Sequence, residues 1–196
     1  MTKTHQLSRH DLWSLEEYAI KRATFRSQVM QHKKNRQVAL GPNTTLYFED
    51  RLTVQYQIQE MLRIEKVFES AGIEEELSAY NPMVPDGCNW KATFMIEYTD
   101  PIVRAAQLEK MIGIEDLVWA QIEGFEKVWA ISDEDLERSN DTKTSSVHFM
   151  RFELTADMIA ALKNASGLTI GVEHAVYTYN LELTGETKAS LINDLD

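Results

Sequence analysis

The prevailing spacing of apolar residues shifts near residue 88, and that shift constrains the fold more than any motif does. Before it, apolar residues recur every three or four positions, the period of an amphipathic helix. Beyond it they alternate, the period of a half-buried strand. Helices and strands segregated in this way pack as layers, so an α+β fold is expected.

The first helix is predicted to start at Ser14, because "SLEE" has the capping-box form, with Glu17 able to reach back to Ser14. Leu15, Tyr18, Phe25 and Val29 line one side of it, and Arg22 lies inside the stripe. "QVALGPNTTLYFED" reads as two short strands around a turn at Gly41, Pro42 and Asn43. A long helix follows from Arg51, with Gly72 as its expected left-handed cap. Val54, Ile58, Met61, Leu62 and Phe68 share its apolar stripe, and Glu65 falls among them. "IEEELSAY" adds a turn or two of helix before "NPMVPDG" stops it.

In the second part, "WKATFMIEY" places Trp90, Ala92, Phe94, Ile96 and Tyr98 on one face of a strand. "DPIVRAAQLEKMIG" is a helix with Pro101 at its first position and Gly113 at its end. "DLVWAQIEGFEKVWAIS" offers two strands about Glu123 and Gly124, and "DEDLERSNDTKTS" reads as a mobile surface loop. "SVHFMRFEL" is a strand, and "TADMIAALKNASG" is a helix capped by Thr155 and ended by Gly167. "LTIGVEHAVYTYNLEL" gives two strands, or one bulged at Gly171, and "KASLINDL" a short terminal helix. Residues 1–87 are thus expected to form a mainly helical segment packed on a mixed or antiparallel sheet built by 88–196. The strand order after 88 also fits a split βαβ, ferredoxin-like layer with one strand left over. The two segments are expected to form one compact unit.

With 196 residues, the chain is large enough to bury roughly 70% of its unfolded surface without staples. The single cysteine, Cys88, excludes an internal disulfide framework and fits a reducing compartment. No apolar run approaches the length of a membrane helix, and "MTKTHQLSRHDLW" lacks the apolar core of a secretory signal, which points to the cytoplasm and away from a membrane. A net charge of -11 argues against nucleic-acid binding. The stretch from Tyr18 to Phe48 nevertheless holds Lys21, Arg22, Arg26, Lys33, Lys34 and Arg36 and no acid, a local charge of +6 that leaves -17 elsewhere.

Polar groups at apolar positions are the candidate site residues. A buried carboxylate needs a cation, a metal or a proton, so Glu65 is expected to meet a partner, and Arg22 on the first helix is the expected one. Glu65 as an acid, base or ligand is the functional form of that reading. Arg51 lies near the same line, and Glu60 and Arg63 sit on another face at ion-pair spacing. His148 shares the inward face of Met150, Phe152 and Leu154. His174 follows Glu173 on a neighbouring strand, with their side chains on opposite faces. A metal site built from Glu65, His148 and His174 would be non-local, since local metal signatures are absent. Nucleotide loops and nucleophile elbows are absent too, and the residues leave the cofactor, if any, unknown.

The blocks "KKNRQVALGPNTTLYFEDRLTVQYQIQEMLRIEKVFES", "EELSAYNPMVP" and "WKATFMIEY", with "VHFMRF", "HAVYTYNLEL" and "SLINDL" after them, resemble a bacterial family known only as a domain of unknown function. The resemblance spans nearly the whole chain, and its strongest block coincides with the helix carrying Glu60, Arg63 and Glu65. It implies proteins encoded near rubrerythrin-like proteins and iron–sulfur oxidoreductases, hence a role in oxidative-stress or redox metabolism.

Three functions compete on these grounds. The first is a non-enzymatic accessory that binds a redox protein partner. The second is an enzyme or metal-binding protein with a carboxylate–histidine pocket around Glu65 and His148. The third is binding of a phosphate-bearing ligand by Lys33, Lys34 and Arg36. A second copy of the chain is a further partner to consider.

Overall fold

A computed structural model describes residues 6–196; the first five residues of the stretch examined for a signal lie outside it. Helix α1 (Leu15–Lys33) begins where the capping box puts it, with Ser14 accepting from the Glu17 N–H at 3.2 Å. Strands β1 (Gln37–Ala39) and β2 (Thr44–Glu49) form a hairpin about Gly41. Gly41 has φ +77, and a Cβ there would meet the Tyr179 ring at 2.6 Å, so the turn requires glycine.

Helix α2 (Arg51–Glu65) is capped by Asp50, which accepts from the Thr53 N–H at 2.9 Å. It ends before the predicted Gly72. Lys66 takes the left-handed conformation (φ 56), and the Val67 N–H reaches the Leu62 carbonyl at 2.9 Å, closing a Schellman-type cap. The apolar stripe therefore stops at Leu62, and Phe68, beyond the cap, is 72% exposed. Gly72 instead lies inside α3 (Ser70–Tyr80).

The remaining chain builds β3 (Asn89–Ile96), α4 (Pro101–Lys110), β4 (Val118–Ile122), β5 (Val128–Trp129), β6 (Ile131–Ser132), β7 (Val147–Glu153), α5 (Ala156–Lys163), β8 (Leu168–His174), β9 (Tyr177–Glu182) and α6 (Gly185–Ile192). The strands divide between two antiparallel sheets, ordered β1-β2-β3-β7-β6 and β5-β4-β8-β9. The α+β class with antiparallel sheets stands, but the ferredoxin-like layer does not. That layer would hold β3, β4, β7 and β8 in one sheet, whereas here β3 pairs antiparallel with β7 while β4 pairs with β8 in the other. Nor is the boundary at 88 a break in the sheet, because β2 pairs with β3 over its whole length.

The larger core lies between the two sheets. Leu46, Phe48, Trp90, Phe94 and Phe152 of the first meet Val118, Leu168 and Ile170 of the second. Each such side chain contributes roughly 1.5–3 kcal/mol by leaving water. Trp90 is fully buried, and its Nε1 donates to the Leu191 carbonyl at 2.9 Å, so α6 is tied to the sheet by the polar handle of a core residue. Of the two readings of this stretch, two strands or one bulged at Gly171, the structure has the two strands, and Gly171 pairs regularly with Trp119 across β4 and β8. A Cβ there would lie 2.4 Å from the Trp119 ring, so ring packing explains the glycine. Helices α1–α3 carry separate cores, one around Val54, Ile58, Leu62 and Leu77, the other around Tyr18, Phe25 and Tyr56. Among the described residues no helix is long and apolar enough to cross a membrane.

Candidate functional site

His148 on β7 pairs across the sheet with Phe94 and, as alternation predicts, points inward; it is 0% exposed. A buried imidazole needs a partner at each nitrogen. Nδ1 lies 2.6 Å from Oδ2 of Asp133, the residue that follows β6. Asp133 has φ 51, in the left-handed region that non-glycine residues seldom occupy. That conformation is pinned from three sides. Its N–H donates to the Phe149 carbonyl at 2.8 Å, and its Oδ1 accepts from the Phe149 N–H at 3.0 Å and from Arg138 at 3.1 Å.

The second ring nitrogen, Nε2, faces the Thr144 hydroxyl at 2.9 Å and the Ser145 carbonyl at 3.1 Å, with Oε2 of Glu115 at 3.9 Å. Glu115 sits on the short 3-10 turn Ile114–Leu117, which Gly113 opens at φ 81, and is only 7% exposed. Its carboxylate accepts from Thr144 at 3.1 Å and from the Ser139 hydroxyl. The segment expected as a mobile loop is therefore folded down by its own polar groups. Thr144 is buried, its N–H donates to the Leu108 carbonyl, and Ser139 and Thr144 are 2.8 Å apart.

Glu115, Asp133 and His148 each offer a donor atom, and the three atoms lie within 4.8 Å of one another. Above them opens a hollow of about 420 Å³, whose rim adds Asp116, Glu137 and Asp141 to Glu115 and Asp133. Arg138 is the cation among them; it also binds Asp135 at 2.6 Å and stacks 4.5 Å from the Phe149 ring. A concave, acidic wall with a buried imidazole behind two of its carboxylates concentrates cations by its field.

Of the sequence-predicted site residues, only His148 lies in this cluster. Glu65 is the last residue of α2, exposed beside the Lys66 cap, so it has no buried carboxylate to neutralise. Arg22 pairs with Glu60 instead. Its Nε and Nη2 donate to the two Glu60 oxygens at 2.7 and 2.9 Å, and the Tyr18 hydroxyl adds a third bond at 2.7 Å. Glu60 also reaches Arg63 at 3.2 Å, the ion pair that their spacing allows. The Arg22 fork, with Tyr18 and Arg63, holds the Glu60 carboxyl at about 2 against the opposing effect of burial.

His174 lies apart from His148, with Nε2 3.2 Å from the Ile112 carbonyl and Nδ1 accepting from the Val176 N–H. Lys33, Lys34 and Arg36 do not converge on one ligand. Lys34 is exposed, while Arg36 is 2% exposed and already committed to the Phe48 and Glu49 carbonyls and to Asp194 at 2.5 Å. Burial pushes the Asp194 carboxyl up to about 6 despite Arg36. Arg51 pairs with Asp11 at 2.5 Å on the surface.

Glu115, Asp133, Ser139 and Thr144 escape a reading of the sequence because no spacing joins them. Asp133 and Thr144 fall in a run whose composition reads as solvent loop, and Asp133 lies 15 residues from the imidazole it holds. The only local trace is His148 itself, a titratable group on an inward strand face.

Fold and cluster together define an α+β protein of two antiparallel sheets and a helical layer, with a buried carboxylate–histidine centre at the edge of the main core. The chain belongs to the DUF3501 family, proteins of unknown function, whose sequence model matches residues 6–195. It is similar to a novel protein of unknown function from Burkholderia pseudomallei K96243, known from a crystal structure, at 47% identity over 100% of both chains with a TM-score of 0.91. No curated protein matches it.

Proposed function

We propose that the protein binds a divalent transition-metal ion between Glu115 and His148. The observation that carries this reading is the fully buried imidazole set between two carboxylates, Glu115 and Asp133, which themselves line an acidic hollow. Nε2 and the Glu115 oxygen are 3.9 Å apart, about 0.5 Å wider than two tetrahedral ligands with bonds of about 2.0–2.2 Å, so the Glu115 side chain closes slightly to share one ion with Nε2. Asp133 keeps its bond to Nδ1 and orients the ring, and an ion at Nε2 would take the place of that nitrogen's contacts with the Thr144 hydroxyl and the Ser145 carbonyl. The Thr144 and Ser139 hydroxyls flank the position, and water from the hollow completes the shell. One imidazole with carboxylate and hydroxyl oxygens suits zinc, manganese or iron better than calcium or magnesium. The incomplete protein shell leaves positions open for a bound water or a small ligand, as metal sites that act on substrates do.

The test is calorimetric titration of full-length protein, stripped with a chelator, with Zn²⁺ and with Mn²⁺. One equivalent is expected to bind, with binding lost in Glu115→Gln and weakened about 10–100-fold in Asp133→Asn. Equal binding by wild type and Glu115→Gln overturns the site.

A finer reading, an accessory role beside redox proteins in oxidative-stress metabolism, comes from the family resemblance. What supports it here is a donor set suited to iron and manganese. Its test is co-purification of a redox protein with the tagged chain from native lysate; recovery equal to that of an untagged control removes it.

A further inference from the structure

The outer face of the five-stranded sheet is not sealed by the helices above it. Two adjoining hollows of about 320 and 490 Å³ lie between them and share Glu49, Tyr80, Met83 and Phe149. Most of the wall is apolar: Met30 and Val54 from α1 and α2, Met95 and Val147 from the sheet. Such a volume with few convergent polar groups is what a small organic ligand requires.

The charged groups on these walls are not equivalent. Glu49 accepts from the Thr53 and Thr93 hydroxyls at 2.5 and 3.3 Å. Glu134 is gripped at both oxygens by Arg151, at 2.9 and 2.8 Å, and Asp135 by Arg138. Arg151 is committed as well, since it also binds Glu153 at 2.5 Å. Lys91 stands in contrast. It projects from the central strand into the hollow, is half-buried, and makes no hydrogen bond or ion pair among the described residues. Lys33, on the rim of the second hollow, is likewise half-buried and unpaired among the described residues. Burial and the neighbouring Arg151 push the Lys91 amine below its usual range, while Glu134, Asp86 and Glu153 pull the other way more weakly. Glu49, across the strand pair from Lys91, is turned to the Thr53 and Thr93 hydroxyls, and a half-desolvated ammonium with no carboxylate at ion-pair distance is a cost to the empty protein that a bound anion offsets.

We infer that this groove binds an amphipathic organic monocarboxylate, its carboxylate against Lys91 and its apolar body along Met83, Met95 and Val147. Lys91 is the unpaired ammonium of the first hollow, with Lys33 only at the rim of the second, and it matches one negative charge; a phosphate dianion would bring a second charge into an apolar slot whose guanidinium is already taken. The site is separate from the candidate metal centre, because Lys91 and Phe149 face the groove while His148 points to the other side of β7.

The experiment is displacement of the fluorescent probe 11-(dansylamino)undecanoate from full-length protein by decanoate and by decanol. Saturable displacement by decanoate, about tenfold weaker in Lys91→Gln, with decanol weaker and indifferent to that substitution, is the expected result. Lys91 is half-exposed, so Lys91→Gln should fold; an unchanged melting curve verifies it. No saturable probe binding, equal affinity in Lys91→Gln, or decanol equal to decanoate overturns the inference.

Discussion

Oδ2 of Asp133 lies 2.6 Å from Nδ1 of His148, and Oδ1 of the same carboxylate holds the Phe149 N–H, the next residue on the strand. One side chain thus fixes both the imidazole and the start of the loop above it. Asp133→Ala should leave a buried imidazole half-satisfied and the loop unanchored, costing about 1–3 kcal/mol. Hydrogen exchange is the check. The amides of Thr144 and Phe149 should lose protection in the variant, while those of β4 and β8 in the other sheet keep theirs. Unchanged protection at Thr144 would mean that other contacts hold the loop.

Glu60 makes acid stability testable. Its carboxyl titrates at about 2 in the folded chain, against an ordinary value of 4.5. The folded state therefore binds fewer protons than the unfolded one in that interval. The stabilisation is fully present above about 4.5 and is lost as pH falls toward 2. Glu60→Gln should cost about 1–2 kcal/mol at pH 7, the bare shift being discounted for partial solvent screening. Urea titrations from pH 7 to 2.5 should show wild type and variant converging as pH falls; a constant gap contradicts the assignment.

Asp194 should behave in the opposite sense. Its carboxyl, pushed up to about 6 by burial, retains its proton where an unfolded aspartate, at 3.8, has released it. Its contribution is thus largest below 3.8 and is lost as pH rises through 6. Asp194→Asn, which cannot ionise, should gain stability relative to wild type as pH rises from 4 to 6.5. Parallel stability curves in that window contradict this.

Gly171 tests the ring packing between β4 and β8. Gly171→Ala should force the Trp119 ring aside, with a loss of about 1–3 kcal/mol in urea unfolding and a shift in tryptophan fluorescence. A neutral substitution would show that the ring relaxes freely.

Local chemistry explains how much of this was legible in sequence. The Ser14 cap, the Gly41 hairpin and the inward alternation of Trp90, Phe94 and His148 are fixed by neighbours a few residues away, and each is where its pattern places it. The Glu65 expectation fails because periodicity carries no end signal. The apolar stripe runs on in sequence after Lys66 has turned the backbone left-handed. The distribution of strands over two sheets, and the meeting of Glu115, Asp133 and His148, are products of long-range pairing that no single stretch encodes.

The central claim is a metal centre at Glu115 and His148, and its most direct measurement is the visible spectrum of the chelator-stripped protein during Co²⁺ titration. One equivalent of Co²⁺ should produce saturable d–d bands that are missing in Glu115→Gln, with a dissociation constant in the low micromolar range, about 8 kcal/mol of binding. Bands of equal intensity in wild type and Glu115→Gln, or none up to millimolar Co²⁺, would contradict the account.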